Sequence, residues 1–309
     1  MILETLTLQD IHSARSELSR LLNGEQAGIA VTAGPCAQYD SDIINNNADQ
    51  LARERLPGLL LLSRHCLWKP RSSVAEGMEK PWAGWETTDP DDALRSIVDA
   101  RSRGVQIAME VGKVEHINRY CSQDLLTFAW LGARSLADDV LFETVAGGPS
   151  LLSVPLGVKN DINGNLESAL ARINVLNKRR QELTDRPAPA VLVFRGGSNF
   201  QNPTQWENQY KRAFEASEGK LAVDVAHGGE MAFDQAGHFQ KTCEGQIACM
   251  NRVIELAGAG MMPKLVLIEA SDFIQPNPRL RVDPPMPFAT AIDGAQRLHK
   301  IAMRSLTTN

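Results

Sequence analysis

Along this 309-residue chain, eight short apolar runs each end in an ionisable or metal-capable side chain. In order these are Cys36 after Ala33-Gly34-Pro35; Arg64 and Lys69 in a run closing on Lys69-Pro70-Arg71-Ser72-Ser73; Glu110; Arg134 after Gly132-Ala133; Lys159 in Gly157-Val158-Lys159-Asn160; Arg195 before Gly196-Gly197; His227 before Gly228-Gly229; and Glu269. They form two groups. Arg64, Lys69, Arg71, Arg134, Lys159 and Arg195 are cations; arginine forks suit phosphate and carboxylate, and lysine supplies a point charge. Any one of them alone reads as a surface cation or a salt-bridge partner. Six at one mouth imply a strongly anionic ligand, because buried like charges are costly unless paired. Cys36, His227, Glu269 and a downstream aspartate, Asp283 by first choice, form a mixed set for a divalent Mn²⁺, Fe²⁺, Co²⁺ or Zn²⁺ ion. Taken singly, Cys36 reads equally as a small buried hydrophobe and His227 as a core histidine.

Such side chains need a frame that brings distant segments to one rim. Apolar, β-branched runs at 29–33, 59–68, 105–111, 127–132, 152–158, 190–194, 221–226 and 265–270 read as strands. Stretches of helical spacing lie at 42–55, 91–103, 118–126, 136–146, 166–183, 206–216, 240–257 and 289–304. Eight strands, each followed by a helix, predict a single (β/α)8 barrel over 29–309, preceded by a short arm or helix within 1–28. Near-continuous apolar runs such as LPGLLLLS suit parallel strands buried on both faces. An open doubly wound sheet is the rival arrangement. A barrel carries its active site at the carboxyl ends of its strands, where all these residues fall.

Composition narrows the function classes. Hydrophobic residues make up 43% and charged residues 22%, which excludes a disordered or fibrous chain. The net charge of −5 argues against nucleic acid or an anionic membrane as partner, so a bound anion must be held by a local cluster of cations. No apolar run approaches the roughly 18 residues of a membrane span. The amino terminus has no signal-peptide pattern, and five scattered cysteines suit a reducing compartment; a cytoplasmic location is expected. The tryptophans read as packing residues, and Gly196-Gly197 as a weak candidate for a phosphate-cradling turn.

Together, Gly34-Pro35-Cys36, Lys69-Pro70-Arg71-Ser72-Ser73, Gly132-Ala133-Arg134, Pro155-Leu156-Gly157-Val158-Lys159-Asn160, Arg195-Gly196-Gly197, Asp224-Val225-Ala226-His227 and Glu269 resemble the motifs of the 3-deoxy-D-arabino-heptulosonate 7-phosphate (DAHP) synthases. The resemblance runs from about residue 16 to about residue 306 and is strongest toward the bacterial subclass regulated by aromatic amino acids. It implies a (β/α)8 barrel that condenses phosphoenolpyruvate with erythrose 4-phosphate and requires a divalent metal ion. By position, Cys36, His227, Glu269 and Asp283 match metal ligands, with Asp272 and Asp293 as alternatives to Asp283. Arg64, Lys69, Glu110, Arg134, Lys159 and Arg195 match positions around phosphoenolpyruvate, and Arg71 and Ser72 the segment holding the aldose phosphate. Lys69 is the expected general acid, with Glu110 steering water or neutralising an arginine. A homodimer is implied as well.

Several segments depart from that pattern. Ser135-Leu136-Ala137-Asp138-Asp139 follows Arg134, Ala270-Ser271-Asp272-Phe273 follows Glu269, and the loop 74–85 carries extra residues. These changes leave phosphoenolpyruvate binding intact and bear on the second substrate, so two further readings stand. One is the same chemistry with another phosphorylated aldose; the other is a non-catalytic metabolite-binding homologue. The short arm and the reduced stretch 181–189 lead to the expectation that aromatic amino acids do not inhibit this protein.

Overall fold

The computed structural model describes residues 7–38, 41–70, 84–86, 88–121, 124–135, 138–200, 202–228, 242–272 and 285–304, with backbone alone at 69, 70 and 84–86. In chain order these form α1 (Leu8–Asn23), β1 (Ile29–Gly34), α2 (Ser41–Arg53), β2 (Leu59–His65), β3 (Trp68–Pro70), β4 (Gly84–Glu86), α3 (Pro90–Ser102) and β5 (Gln106–Val111). Then follow α4 (Val114–His116), which runs into a π turn over Ile117–Cys121, β6 (Phe128–Leu131), α5 (Asp139–Gly147), β7 (Leu156–Lys159) and α6 (Glu167–Leu183). The remainder is β8 (Ala190–Phe194), α7 (Pro203–Ala216), β9 (Leu221–Asp224), α8 (Val225–Gly228), α9 (Cys243–Gly258), β10 (Leu265–Glu269) and α10 (Phe288–Arg304).

Eight of the strands close a parallel barrel in the order β1-β2-β5-β6-β7-β8-β9-β10 and back to β1. The closed barrel rules out the open-sheet alternative. Strands buried along nearly their whole length, with only Gln106 and Glu110 of β5 half-buried, explain the unbroken apolar runs: one set of side chains meets the outer helices and the alternate set fills the lumen. The lumen holds Ala30, Leu60, Leu62, Ala108, Phe128, Trp130, Val191, Val193, Ala222, Leu265 and Leu267.

Leu18, Leu21 and Leu22 of α1, all fully buried, join that same cluster, so α1 stops the amino-terminal end of the barrel. Thr7 and Asp10 start this helix with a reciprocal capping box, and Gly24, at φ 76°, ends it in the left-handed region that glycine permits. Arg15 ties the plug to the barrel: its Nε donates to the Leu126 carbonyl at 2.7 Å, and its Nη1 to Asp124 and Ser153 at 2.8 and 3.0 Å.

Three strands start or stop two or more residues short of their apolar runs, each for a local reason. The run 59–68 leaves the barrel after His65, where the Cys66 carbonyl accepts the Gln38 N–H at 2.9 Å; Trp68–Pro70 pairs instead with Gly84–Glu86. Residues 149–151 turn as a 3-10 helix that opens on Pro149, so β7 starts only at Leu156. After Asp224 the chain turns into α8, with the Asp224 carboxylate accepting the His227 N–H at 3.1 Å. The helix expected over 118–126 is a π turn ending at Cys121. Among the described residues no helix is long and apolar enough to cross a membrane.

Candidate active site

The barrel order puts the strand-end residues on successive staves of one rim. Arg64 is the penultimate residue of β2, Glu110 lies on β5, Trp130 on β6 and Lys159 at the end of β7. Arg195 follows β8, Asp224 ends β9 with His227 one turn beyond, Glu269 ends β10, and Cys36 follows β1. Gly34 and Glu269 are register partners, which brings the start of the Cys36 segment beside the carboxylate of the next stave.

Two ion-paired groups occupy this rim. Arg64, 2% exposed, reaches the Glu269 carboxylate at 2.9 Å and donates also to the Pro35 carbonyl, just before Cys36. Burial works against its charge, but Glu269, Cys66, Cys36 and Glu110 outweigh that and hold the guanidinium pKa above its usual value. Lys159, also 2% exposed, sits 2.7 Å from Asp224 and 3.8 Å from Glu110. Asp224 in turn accepts from His227 Nδ1 at 2.8 Å. Burial raises the Asp224 pKa, yet Lys159 and His227 together keep it well below the ordinary carboxylate range.

This changes the charge argument made from sequence. Arg64 and Lys159 each have an internal carboxylate, so the rim carries less excess positive charge than a count of cations implies. Arg134 is half-buried and Arg195 is 8% exposed. Lys69 is described by its backbone alone, paired with Trp85 in the β3–β4 ladder, and Arg71, Ser72 and Asp283 lie outside the described residues.

The Gly196-Gly197 turn has a packing explanation. Asn160 accepts from the Arg195 N–H at 2.7 Å and donates to the Gly196 carbonyl at 2.8 Å, with Gly196 at φ 78°. A Cβ on Gly197 would lie 2.5 Å from the Asn163 backbone, so this glycine lets the two loops close on each other.

The expected metal donors suit a divalent transition ion chemically: a thiol, an imidazole and a carboxylate from three adjacent staves. Asp224 fixes the His227 ring through Nδ1, the way a carboxylate orients a ligating imidazole, so any ion at His227 would be met by Nε2. Among the described residues, however, no group of three or more His, Cys, Asp or Glu side chains stands close enough to hold one ion. Both alternatives to Asp283 are engaged elsewhere. Asp272 accepts the Phe288 N–H at 2.8 Å and the Gln50 amide at 3.0 Å, and Asp293 is an exposed residue of α10, 3.9 Å from Arg297.

The sequence gives no sign of the partners of three contributors. Asp224 stands three residues before His227, a spacing that fits a short turn but reveals nothing of Lys159. Trp130 reads as a packing residue; in the fold its Nε1 donates to Glu110 at 3.0 Å. His65, fully buried beside Arg64, contacts Gln38 at 2.7 Å and Ser63 at 3.2 Å. That pair of contacts fits the Nδ1–H tautomer, and burial, with Arg64, pushes its pKa down to about 3.

No family model matches the chain. It is 24% identical over 254 residues to the phenylalanine-inhibited phospho-2-dehydro-3-deoxyheptonate aldolase of Saccharomyces cerevisiae, covering 71% of this chain and 65% of the relative. The chain thus spans just under two thirds of that relative's length. Among solved structures, the phospho-2-dehydro-3-deoxyheptonate aldolase of Francisella tularensis superposes with a TM-score of 0.72 at 18% identity, over 97% of this chain and 94% of that one. The enzyme of the same name from Thermotoga maritima, also called DAHP synthase, gives 0.61 at 16% identity, over 91% of this chain and 70% of that one. These structures establish the shared barrel, and with the sequence relative they bear out the resemblance to the DAHP synthases that the motifs carry.

Proposed function

We propose that this protein condenses phosphoenolpyruvate with erythrose 4-phosphate, giving DAHP and inorganic phosphate. The observation that carries the reading is the rim itself: buried Arg64 and Lys159, each beside a carboxylate, with Glu110 between their staves, in a chain whose curated relative bears that enzyme's name. Arg64, Arg134, Lys159 and Arg195 take the phosphate and carboxylate of phosphoenolpyruvate; Arg71 and Ser72 take the phosphate of the aldose. Holding both substrates replaces a bimolecular encounter with a positioned one. C3 of the enol then forms a bond to the aldehyde carbon, and Lys69 delivers a proton to the new alkoxide. Water steered by Glu110 adds at C2, and the tetrahedral centre collapses as the C2–O bond to phosphate breaks.

Cys36, His227, Glu269 and Asp283 would hold a divalent ion only with Cys36, His227 and Glu269 drawn closer together than they stand here; when bound, it would supply Lewis-acid polarisation of a carbonyl or a more acidic water. Glu269 would then serve the ion as well as Arg64.

The test is phosphate release from phosphoenolpyruvate with a panel of aldose phosphates, before and after treatment with EDTA. Release with erythrose 4-phosphate that EDTA abolishes is the expected result. Release only with another aldose phosphate moves the substrate assignment, and no release with any of them overturns the reading. Cys36→Ala and His227→Ala should lose ion binding and turnover together while the barrel stays folded; a fully active, metal-free Cys36→Ala contradicts the ligand set.

A further inference from the structure

Trp130 is a large apolar side chain placed where the barrel lumen meets the charged rim. It is fully buried, stacks on Phe128 with ring centroids 6.0 Å apart, and belongs to the lumen cluster. A residue that only filled volume there would need no polar partner. Trp130 has three charged neighbours. Its indole N–H donates to Glu110 Oε2 at 3.0 Å, and the cationic heads of Arg64 and Lys159 each lie 5.7 Å from its ring centroid. Arg64, Glu110, Trp130 and Lys159 come from four consecutive staves, β2, β5, β6 and β7.

The neighbouring strands leave room for this arrangement. Trp130 is in register with Glu110 on one side and Gly157 on the other. A Cβ on Gly157 would stand 3.0 Å from the Trp130 Cβ, 2.9 Å from Phe128 and 2.6 Å from Val193, so the missing side chain makes space for the indole. Gly132, two residues beyond Trp130 and on the same face, does the same for Glu110, whose Oε1 occupies the place a Cβ would take.

We propose that Trp130 is a positioning residue for phosphoenolpyruvate binding, its ring face holding Arg64 and Lys159 at fixed spacing and its N–H fixing Glu110 between them. Two like charges at one rim repel, and a π face within about 6 Å attracts both, an effect that strengthens when the charges are desolvated. Cations held in place before the ligand arrives bind an anion without the cost of ordering them afterwards. The inference rests on the phosphoenolpyruvate reading above and adds a residue to it.

The test is calorimetric titration of the purified protein with phosphoenolpyruvate, alongside steady-state kinetics, for wild type, Trp130→Phe and Trp130→Leu. Thermal unfolding midpoints establish which variants are folded. Trp130→Phe keeps an aromatic face and loses the N–H; its affinity for phosphoenolpyruvate should fall by roughly threefold. Trp130→Leu loses both, and a fall of about tenfold or more is expected. In both, the KM for the aldose phosphate should stay within about twofold of wild type while phosphoenolpyruvate affinity falls, a split that a merely structural role would not produce. If Trp130→Leu does not fold, Trp130→Phe decides alone. Unchanged phosphoenolpyruvate affinity in the folded variants, or a loss confined to kcat, overturns the positioning role and leaves the proposed function standing. A wild-type protein that binds no phosphoenolpyruvate overturns the proposed function, and this role with it.

Discussion

Asp224 shows how much of the site depends on contacts that no local pattern carries. One buried carboxylate accepts from Lys159, which is proposed to meet phosphoenolpyruvate, and from His227, which is proposed as a metal ligand. Asp224→Asn should therefore weaken divalent-ion affinity by about 10–100-fold, the usual scale for removing a carboxylate that orients a ligating histidine. It should also weaken phosphoenolpyruvate binding; titrations showing both affinities unchanged would contradict the link. Lys159 and Glu269 were legible from sequence because each closes an apolar run, and Arg64 because it is a cation inside one. Asp224 and Trp130 were not, since their partners lie on other staves, far away in the chain. His65 gives a second prediction. Its folded pKa of about 3 lies below the ordinary 6.5, so between those values the unfolded chain binds the proton and the folded one does not. Stability must fall as pH drops through that window. In urea unfolding, His65→Gln should shrink the loss of stability between pH 7 and 4.5 by about 2 kcal/mol; an unchanged loss would mean that His65 is protonated in the folded state.

Among the elements, strands were read better than their ends. Apolar runs buried on both faces mark parallel barrel strands clearly, and β8 matches its run residue for residue. The ends moved where one backbone or side-chain group took another partner: the Cys66 carbonyl for the loop after β1, the Asp224 carboxylate for α8. The arm is a comparable case. Its helical character shows in Ile11, Leu18, Leu21 and Leu22, but its place in the floor of the barrel comes from the closed fold alone. Leu21→Ala should cost about 2–5 kcal/mol in denaturant unfolding, as for other fully buried leucines, while leaving substrate KM values unchanged because α1 lies at the opposite end of the barrel from the rim. A KM change as large as the stability change would argue that the plug and the rim are coupled.

For the whole molecule, the fold and the resemblance agree, and the connections bear on control. Residues 184–189 join α6 directly to β8, held down by Arg180, which donates to the carbonyls of Leu151, Val154 and Ala188. With no further element between α6 and β8, Phe, Tyr and Trp at micromolar concentration should leave turnover unchanged; inhibition by any of them would contradict this. The central claim is that Arg64, Arg134, Lys159 and Arg195, from the ends of β2, β6, β7 and β8, make one anion site for phosphoenolpyruvate. The most direct measurement is a calorimetric titration with that compound, on the wild-type protein and on Lys159→Met. One equivalent bound per chain, weakened by added salt and lost in the variant, is the predicted result. No binding by the wild type, or equal binding by both, would contradict the account.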